Sequence, residues 1–474
     1  MLLERFYDTA LAQASYLIGC QATGDAIVVD PTRDIEPYLA FARARSLRIA
    51  QVTETHIHAD FLSGARALAE AAGAQLLLSG EGGAGWQYAF ARDAGARLLH
   101  DGDTLTVGNV RLDVLHTPGH TPEHLVFVVT DTPATARPMG ALTGDFVFVG
   151  DVGRPDLLER AAGVANTMEA GARALWRSIQ RFAALPDYLQ IWPGHGAGSA
   201  CGKSLGAVPF STLGYETIAN WAFAIADEDA FVREVLAGQP EPPRYFAEMK
   251  RLNRDAQPRD GAHRVPSALP ADSIAGALES GTVVIDVRPT AAFGSGHVPG
   301  SLNLPLGDSF VGWAGWFVPY DRDLVLLAET EERAAGAASA LARIGLDRVR
   351  GWVDASALEA WRRSNGTLQS VSQLSARELA ARRAEGAGAP RVIDVRSRAE
   401  WAEGHIPGVE NVPQGLVPEH LATLDRDTPL VLQCRSGSRS AVVAGVLQAQ
   451  GFTNVVNLKG GIRGWMEAGL EVER

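Results

Sequence analysis

Residues 55–64 read THIHADFLSG and place His56, His58 and Asp60 two residues apart. Imidazoles and a carboxylate packed this closely form the donor set of a metal site. The commonest version of this pattern, HxHxDH, has a further histidine after the aspartate, and here Phe61 stands in its place. The preceding run, IAQVTETH, is strand-like, and FLSGARALAEAAGA has helical spacing, so the cluster is expected at a strand-to-helix corner. Further apolar runs (AIVVD, QLLLSG, RLDVLHTPGH, LVFVVT, ALTGDFVFVG, YLQIWPGH) fill the first 225 residues. His120, Asp145 and His195 follow three of them. Loops at strand ends are where a rigid sheet presents chemistry. The shared position of all these donors makes a metal site the natural reading of the set.

The chain has 474 residues, 46% hydrophobic and 21% charged, enough for roughly three soluble globular domains. A net charge of −12 disfavours nucleic acid and anionic membrane as partners. Cys20, Cys201 and Cys434 are too few and too scattered for a disulfide framework, and they fit a reducing cytoplasm. The start, MLLERFYDTALAQ, lacks the apolar run of a signal peptide, and no stretch is long and apolar enough to span a bilayer.

Residues 235–266 are proline-rich and charged with little periodicity, as expected of an arm between domains. Beyond it the sequence repeats itself. VVIDVRPTAAFGSGHVPGSLNLP (283–305) matches RVIDVRSRAEWAEGHIPGVENVP (391–413), and LVLLAETEER (324–333) matches LVLQCRSGSR (430–439). Asp286, His297, Pro299 and Asn303 thus pair with Asp394, His405, Pro407 and Asn411. A unit of about 105 residues is too long for a solenoid, so two small α/β domains in tandem are expected. The expected boundaries are 1–250, a linker at 251–266, then domains at 267–366 and 370–474.

The second copy places Cys434 between a strand and the helix AVVAGVLQAQG, in the loop CRSGSRS. Converging backbone N–H groups, the helix N-terminus, Arg435 and Arg439 would stabilise an anionic sulfur there. The first copy has Ala328 instead, followed by Glu329, Glu331 and Glu332, with Arg333 retained. Without a nucleophile, and with acids where an anion would sit, it is expected to be a spacer or an oligomer contact.

ETHIHADFLSG, HTPGHTPEH, TGDFVFVGDVGRPDL and WPGHGAGSACGKSLGAVPFSTLGYE resemble the persulfide dioxygenase branch of the metallo-β-lactamase superfamily. The likeness covers about residues 1–225. It implies an αββα sandwich and one Fe(II) per chain on His56, His120 and Asp145. His58, Asp60 and His195 would then orient or tune those ligands. Two histidines and a carboxylate leave open positions of the kind non-haem iron oxygenases use. The branch further implies that Arg154 holds a substrate carboxylate, with Ser211, Thr212 and Tyr215 in the pocket and Cys201 as an auxiliary thiol. Ala197 stands where some members carry a tyrosine. The competing reading is a glyoxalase II-like zinc thioester hydrolase with a sulfurtransferase domain, and the missing histidine at 61 speaks against its second metal.

VIDVR, EGHIPG and CRSGSRS resemble the rhodanese sulfurtransferases over residues 372–474, which implies that Cys434 carries the transferred sulfur. Asp394, Arg396 and His405 fall at positions that brace that fold. The whole is expected to be an α/β protein: a metallo-β-lactamase sandwich, an inactive rhodanese copy and an active one, both with parallel sheets. The expected function is bifunctional sulfide detoxification. A low-molecular-weight persulfide (glutathione, coenzyme A or polysulfide type) is oxidised by O2 to sulfite, and sulfane sulfur then passes to sulfite, giving thiosulfate. A cytoplasmic homo-oligomer is expected.

Overall fold

A computed structural model describes all residues except 161–165, 204, 259, 261–263, 387–388, 421–422, 425 and 427. The chain divides into two compact units, Met1–His263 with Ala342–Gly345, and Arg264–Leu341 with Leu346–Arg474.

The first unit is built on two six-stranded sheets. One joins β1 (Leu2–Asp8), β2 (Gln13–Gly19), β3 (Asp25–Val29), β4 (Arg48–Thr53), β5 (Gln75–Ser79) and β6 (Arg97–Leu99) in sequence order. The other runs β12-β11-β10-β9-β8-β7, from β7 (Thr104–Val107), β8 (Val110–His116), β9 (Leu125–Asp131) and β10 (Gly140–Gly144) to β11 (Gln190–Pro193) and β12 (Ser211–Thr212). Strand periodicity divides the residues between layers. On β9, Leu125, Phe127 and Val129 enter the core between the sheets, whereas Val126 and Val128 join an outer core with Leu175, Ile179 and Phe231. Because helices cover both outer faces, β9 is apolar at consecutive positions instead of alternating. The result is the expected αββα sandwich.

The metal-type residues emerge from the ends of this frame. β4 runs out into His56, β8 into His120, β10 into Asp145 and β11 into His195. Helix Ala65–Ala72 begins after the THIHAD loop and ends at Gly73 in the left-handed region (φ +63°), as the spacing anticipates.

The second unit holds two all-parallel sheets. The first, in the order β14-β13-β15-β16, comprises β13 (Val283–Asp286), β14 (Leu302–Asn303), β15 (Leu324–Ala328) and β16 (Val349–Asp354). The second, in the order β17-β21-β20-β18-β19, comprises β17 (Ser372–Leu374), β18 (Arg391–Asp394), β19 (Glu410–Asn411), β20 (Leu430–Gln433) and β21 (Val455–Leu458). The repeated residues brace both copies alike. Asp286 takes a forked pair of bonds from Arg288 and Asp394 takes one from Arg396, while Asn303 and Asn411 each donate to two backbone carbonyls. His297 and His405 bond through Nδ1 to the carbonyls of Phe293 and Trp401 and stack on those rings at 3.7 and 3.6 Å. Among the described residues no helix is long and apolar enough to cross a membrane.

The stretch read as an irregular arm departs from expectation. Tyr245–Asp255 is a helix, and Tyr245, Phe246, Met249 and Asn253 are buried on one of its faces. Asn253 donates to the carbonyls of His58 and Phe61 and accepts from the Ser63 amide, while Tyr245 Oη donates to the Asp60 carbonyl. Charged residues on the exposed side mask the apolar stripe from a reading of composition. Part of the predicted linker, 259 and 261–263, lies outside the described residues. Replacing Asn253 with Ala removes three buried hydrogen bonds from the THIHADFLSG segment. It should destabilise the first unit by about 2–4 kcal/mol, read as a lowered midpoint of its unfolding transition.

Candidate metal centre and sulfurtransferase site

His56, His120 and Asp145 each offer a donor atom within 4.8 Å of the others, and all three are buried. Asp145 Oδ2 lies 3.9 Å from His56 Nε2 and 3.5 Å from His120 Nε2. The outer nitrogen of each ring is anchored. His56 Nδ1 bonds Thr55 Oγ1, which donates its own proton to Asp30, and His120 Nδ1 bonds the Arg154 carbonyl. This chain of donors turns the Nε2 lone pairs inward, the arrangement that fixes metal-ligating histidines. Burial holds the pKa of both imidazoles below the ordinary histidine value, so they are neutral and able to ligate.

Asp145 also faces a second group. Its Oδ1 lies 3.4 Å from His195 Nε2, which approaches Asp60 Oδ2 at 3.2 Å, and Asp60, His195 and Cys201 form another donor set within 4.8 Å. Neither approach is a hydrogen bond. Both oxygens of Asp60 and Asp145, with Nε2 of His56 and His195, have no hydrogen-bond partner. Buried polar atoms without partners are rare in folded proteins, and their convergence fits a bound cation. Two glycines make the approach possible. A Cβ on Gly153 would fall 1.7 Å from the Asp145 carbonyl oxygen, and one on Gly194 would fall 2.8 Å from Asp145 Oδ1.

His58 belongs to neither donor set. Its Nε2 sits 3.1 Å from Asp30 Oδ1, and its ring lies against that of Phe61 at 4.4 Å. Burial alone would lower its pKa, but Asp30, Glu54 and Asp60 outweigh burial and push it up to about 9. Asp30 also accepts from the Thr55 amide at 2.6 Å and so clamps the loop. Asp30 was not singled out from the sequence, although an acid closing the run AIVVD was a signal. Phe61 is fully buried beside His58 and does not leave the second corner without donors, because Cys201 supplies a third. The Cys201 thiol is pushed well above its ordinary pKa by burial and by the charges of Asp145 and Asp60.

The expected substrate residues fare differently. Arg154 is wholly buried and spends its fork on Asp156 (2.7 Å at both atoms) and on the Ala200 carbonyl, so it ties down its own loop. Ser211 bonds Glu216, Thr212 caps helix Leu213–Ala219, and Tyr215 is exposed on that helix. The positions of all three are accounted for by this local structure.

In the second unit, Cys434 follows β20, and helix Ser438–Ala449 follows the loop. The Gly437 amide, at φ +96°, donates to Sγ at 3.1 Å. Ser440 Oγ lies 3.4 Å from Sγ and bonds Asn457 Oδ1 at 2.7 Å. Arg435 is exposed, and Arg439 is held in a fork by Glu400 at 2.6 and 2.8 Å. Burial opposes the charge on Glu400, yet Arg439 brings its pKa down to about 2. Glu400 was missed because its partner lies far along the chain. In the first copy Ala328 is buried, and Arg333 pairs with Glu329 at 2.8 Å.

That copy also packs against the last domain. Its Phe293 joins the core around Cys434, Val443 and Leu447, and a Cβ on Gly445 would come within 3.0 Å of the Phe293 ring. Helix Ser438–Ala449 is consequently buried from Ser440 to Gln448 without a polar face.

This fold and these sites define the class of the protein. The metallo-beta-lactamase superfamily model matches residues 8–195, and the rhodanese-like domain model matches 270–359 and 375–468. A probable metallo-hydrolase of Burkholderia pseudomallei is 30% identical over 220 residues, covering 41% of this chain and 72% of its own. A sulfurtransferase of Allochromatium vinosum is 38% identical over 81 residues, covering 17% of this chain and 76% of its own. A solved metallo-beta-lactamase from Staphylococcus aureus is 40% identical with a TM-score of 0.67, covering 74% of this chain and 98% of its own. The chain belongs to the metallo-β-lactamase superfamily and carries two rhodanese-like domains.

The His58–Asp30 contact stabilises the metal-free protein through the proton on His58. That contribution is fully present below the ordinary value of 6.5 and is lost as pH rises through about 9. In denaturation across pH 6 to 10, Asp30→Asn should be less stable than wild type throughout, because bonds from Thr55 to Asp30 are lost at every pH, and the gap should narrow by a few kcal/mol towards the alkaline end.

Proposed function

We propose that the first unit is an Fe(II)-dependent persulfide dioxygenase and that the last domain is a sulfurtransferase acting on the same sulfur chemistry. The observation that carries the reading is the convergence of His56, His120 and Asp145 in one chain with the Cys434 loop. A ferrous ion on those three residues would supply the redox chemistry for RSSH + O2 + H2O → RSH + SO3²⁻ + 2 H⁺. The chain's own residues do the rest. Thr55 and the Arg154 carbonyl aim the imidazoles, Asp30 and Phe61 hold the His58 ring aside, and burial of the donors keeps bulk water away. Cys201, beside Asp60 and His195, would take up or relay persulfide sulfur if a cation at that corner offset the burial that holds its thiol protonated.

At the second site the Cys434 thiolate attacks the outer sulfur of a persulfide, releasing the thiol and forming Cys434–S–S⁻. Sulfite then attacks that outer sulfur, releasing thiosulfate and restoring the thiolate. The Gly437 amide and the helix N-terminus favour the anionic sulfur at each stage, while Arg439, tied to Glu400, shapes the loop. The first unit would thus make the acceptor that the last domain consumes.

A second reading is favoured by the Asp60–His195–Cys201 set, which could hold a second ion and support metallo-hydrolase chemistry. Metal analysis separates the two. The persulfide reading expects one iron per chain, and Phe61→His should raise the metal ratio towards two. A wild-type protein holding two zinc ions and cleaving thioesters without oxygen uptake would establish the second reading.

Activity assays divide the two sites. Asp145→Ala should abolish oxygen uptake on persulfide, a loss of at least about a hundredfold. Cys434→Ser should keep oxygen uptake and sulfite release while losing thiosulfate. Cys201→Ser should alter oxygen uptake or thiosulfate yield, and unchanged values would remove the relay role.

A further inference from the structure

Beside the loop that carries His120 lies a cavity of about 470 Å³ that none of the groups above uses. Pro118 and Pro122, which flank His120, form one wall, and Ala174 and Trp86 form others. Two cations, Lys250 and Arg254, face it from helix Tyr245–Asp255. The Lys250 ammonium sits 3.7 Å from the centre of the Trp86 ring and makes no ion pair among the described residues. Arg254 gives Nε and Nη2 to Asp255, which leaves Nη1 unspent in that pair. Burial, and then the neighbouring Arg254 charge, draw the Lys250 pKa down to about 8, while Glu123 opposes them.

Two like charges held against one largely apolar cavity, in a chain of net charge −12, form an anion-binding arrangement. The aromatic wall and the volume suit a small organic ligand. We infer that this cavity is the carrier subsite of the metal centre and takes the anionic group, carboxylate or phosphate, of the thiol that bears the persulfide. The assignment rests on the persulfide reading of that centre. Lys250 and Arg254 fix the anion, Trp86 packs the carrier's apolar body, and the sulfur end lies towards the His120 loop. A neutral persulfide would lack this anchor and a cationic one would be repelled.

The test uses the iron-loaded full-length protein with glutathione persulfide (carboxylates), coenzyme A persulfide (phosphates) and 2-mercaptoethanol persulfide (neutral). Lys250→Gln with Arg254→Gln should raise KM for one or both anionic carriers roughly tenfold, with little change in kcat. The preference for anionic over neutral carriers should collapse accordingly. Whichever anionic carrier loses its advantage identifies the source of the anion. A preference that survives the double substitution, including one that survives a general loss of activity, overturns the assignment.

A second arm needs no turnover. Glutathione or coenzyme A should quench the fluorescence of wild type by an amount missing in Trp86→Phe, and the double variant should bind roughly tenfold more weakly. If neither thiol binds wild type, the subsite is refuted. If one binds but no persulfide drives oxygen uptake, the dioxygenase reading fails and the anion subsite stands.

Discussion

Asp145 is a fully buried carboxylate whose two oxygens have no hydrogen-bond partner, set between His56 and His120 on one side and His195 on the other. A bare carboxylate in such surroundings is costly unless a cation completes it. The first unit is arranged around that requirement. Four strands end where their following loops can reach the carboxylate, Gly153 and Gly194 clear space for it, and Thr55 and the Arg154 carbonyl fix the imidazoles that share it. Asp30 serves the loop from behind, binding the Thr55 amide, the Thr55 hydroxyl and His58 together.

The two rhodanese-like copies separate folding from chemistry. Both keep the Asp–Arg fork, the doubly bonded asparagine and the stacked histidine, whereas the hydrogen bonds to Cys434 Sγ among the described residues come from Gly437 and Ser440. These interactions make the frame, and the frame persists in the first copy without a thiol. That copy also buries Phe293 against the helix that follows Cys434. The copy without a cysteine at this position therefore supplies part of the core on which the Cys434 loop rests.

Much of this was legible from residue order. Histidines and aspartates after apolar runs located the metal centre, because strands read as apolar runs and their loops as interruptions. The repeat revealed two similar domains, and Ala328 opposite Cys434 showed which one lacks a nucleophile. Helix Tyr245–Asp255 was not legible, since its polar side dominates the composition while Asn253 and Tyr245 work from the buried side. For Arg154 the sequence allowed both a substrate contact and a tie to Asp156 in its own loop, and the fold adds the Ala200 carbonyl to the second.

By itself the sequence determined the donor types, the strand-end positions that carry them, the repeat and the one copy with a cysteine in its loop. These follow from local periodicity and from the chemistry of individual side chains. Only the tertiary structure decided that Cys201 joins Asp60 and His195, that Asp30 claims His58, that Glu400 claims Arg439, and that Lys250 and Arg254 face one cavity. Each of these pairings joins residues from separate segments of the chain. Their partners are chosen by how sheets and helices pack, a property that no local window of the sequence contains.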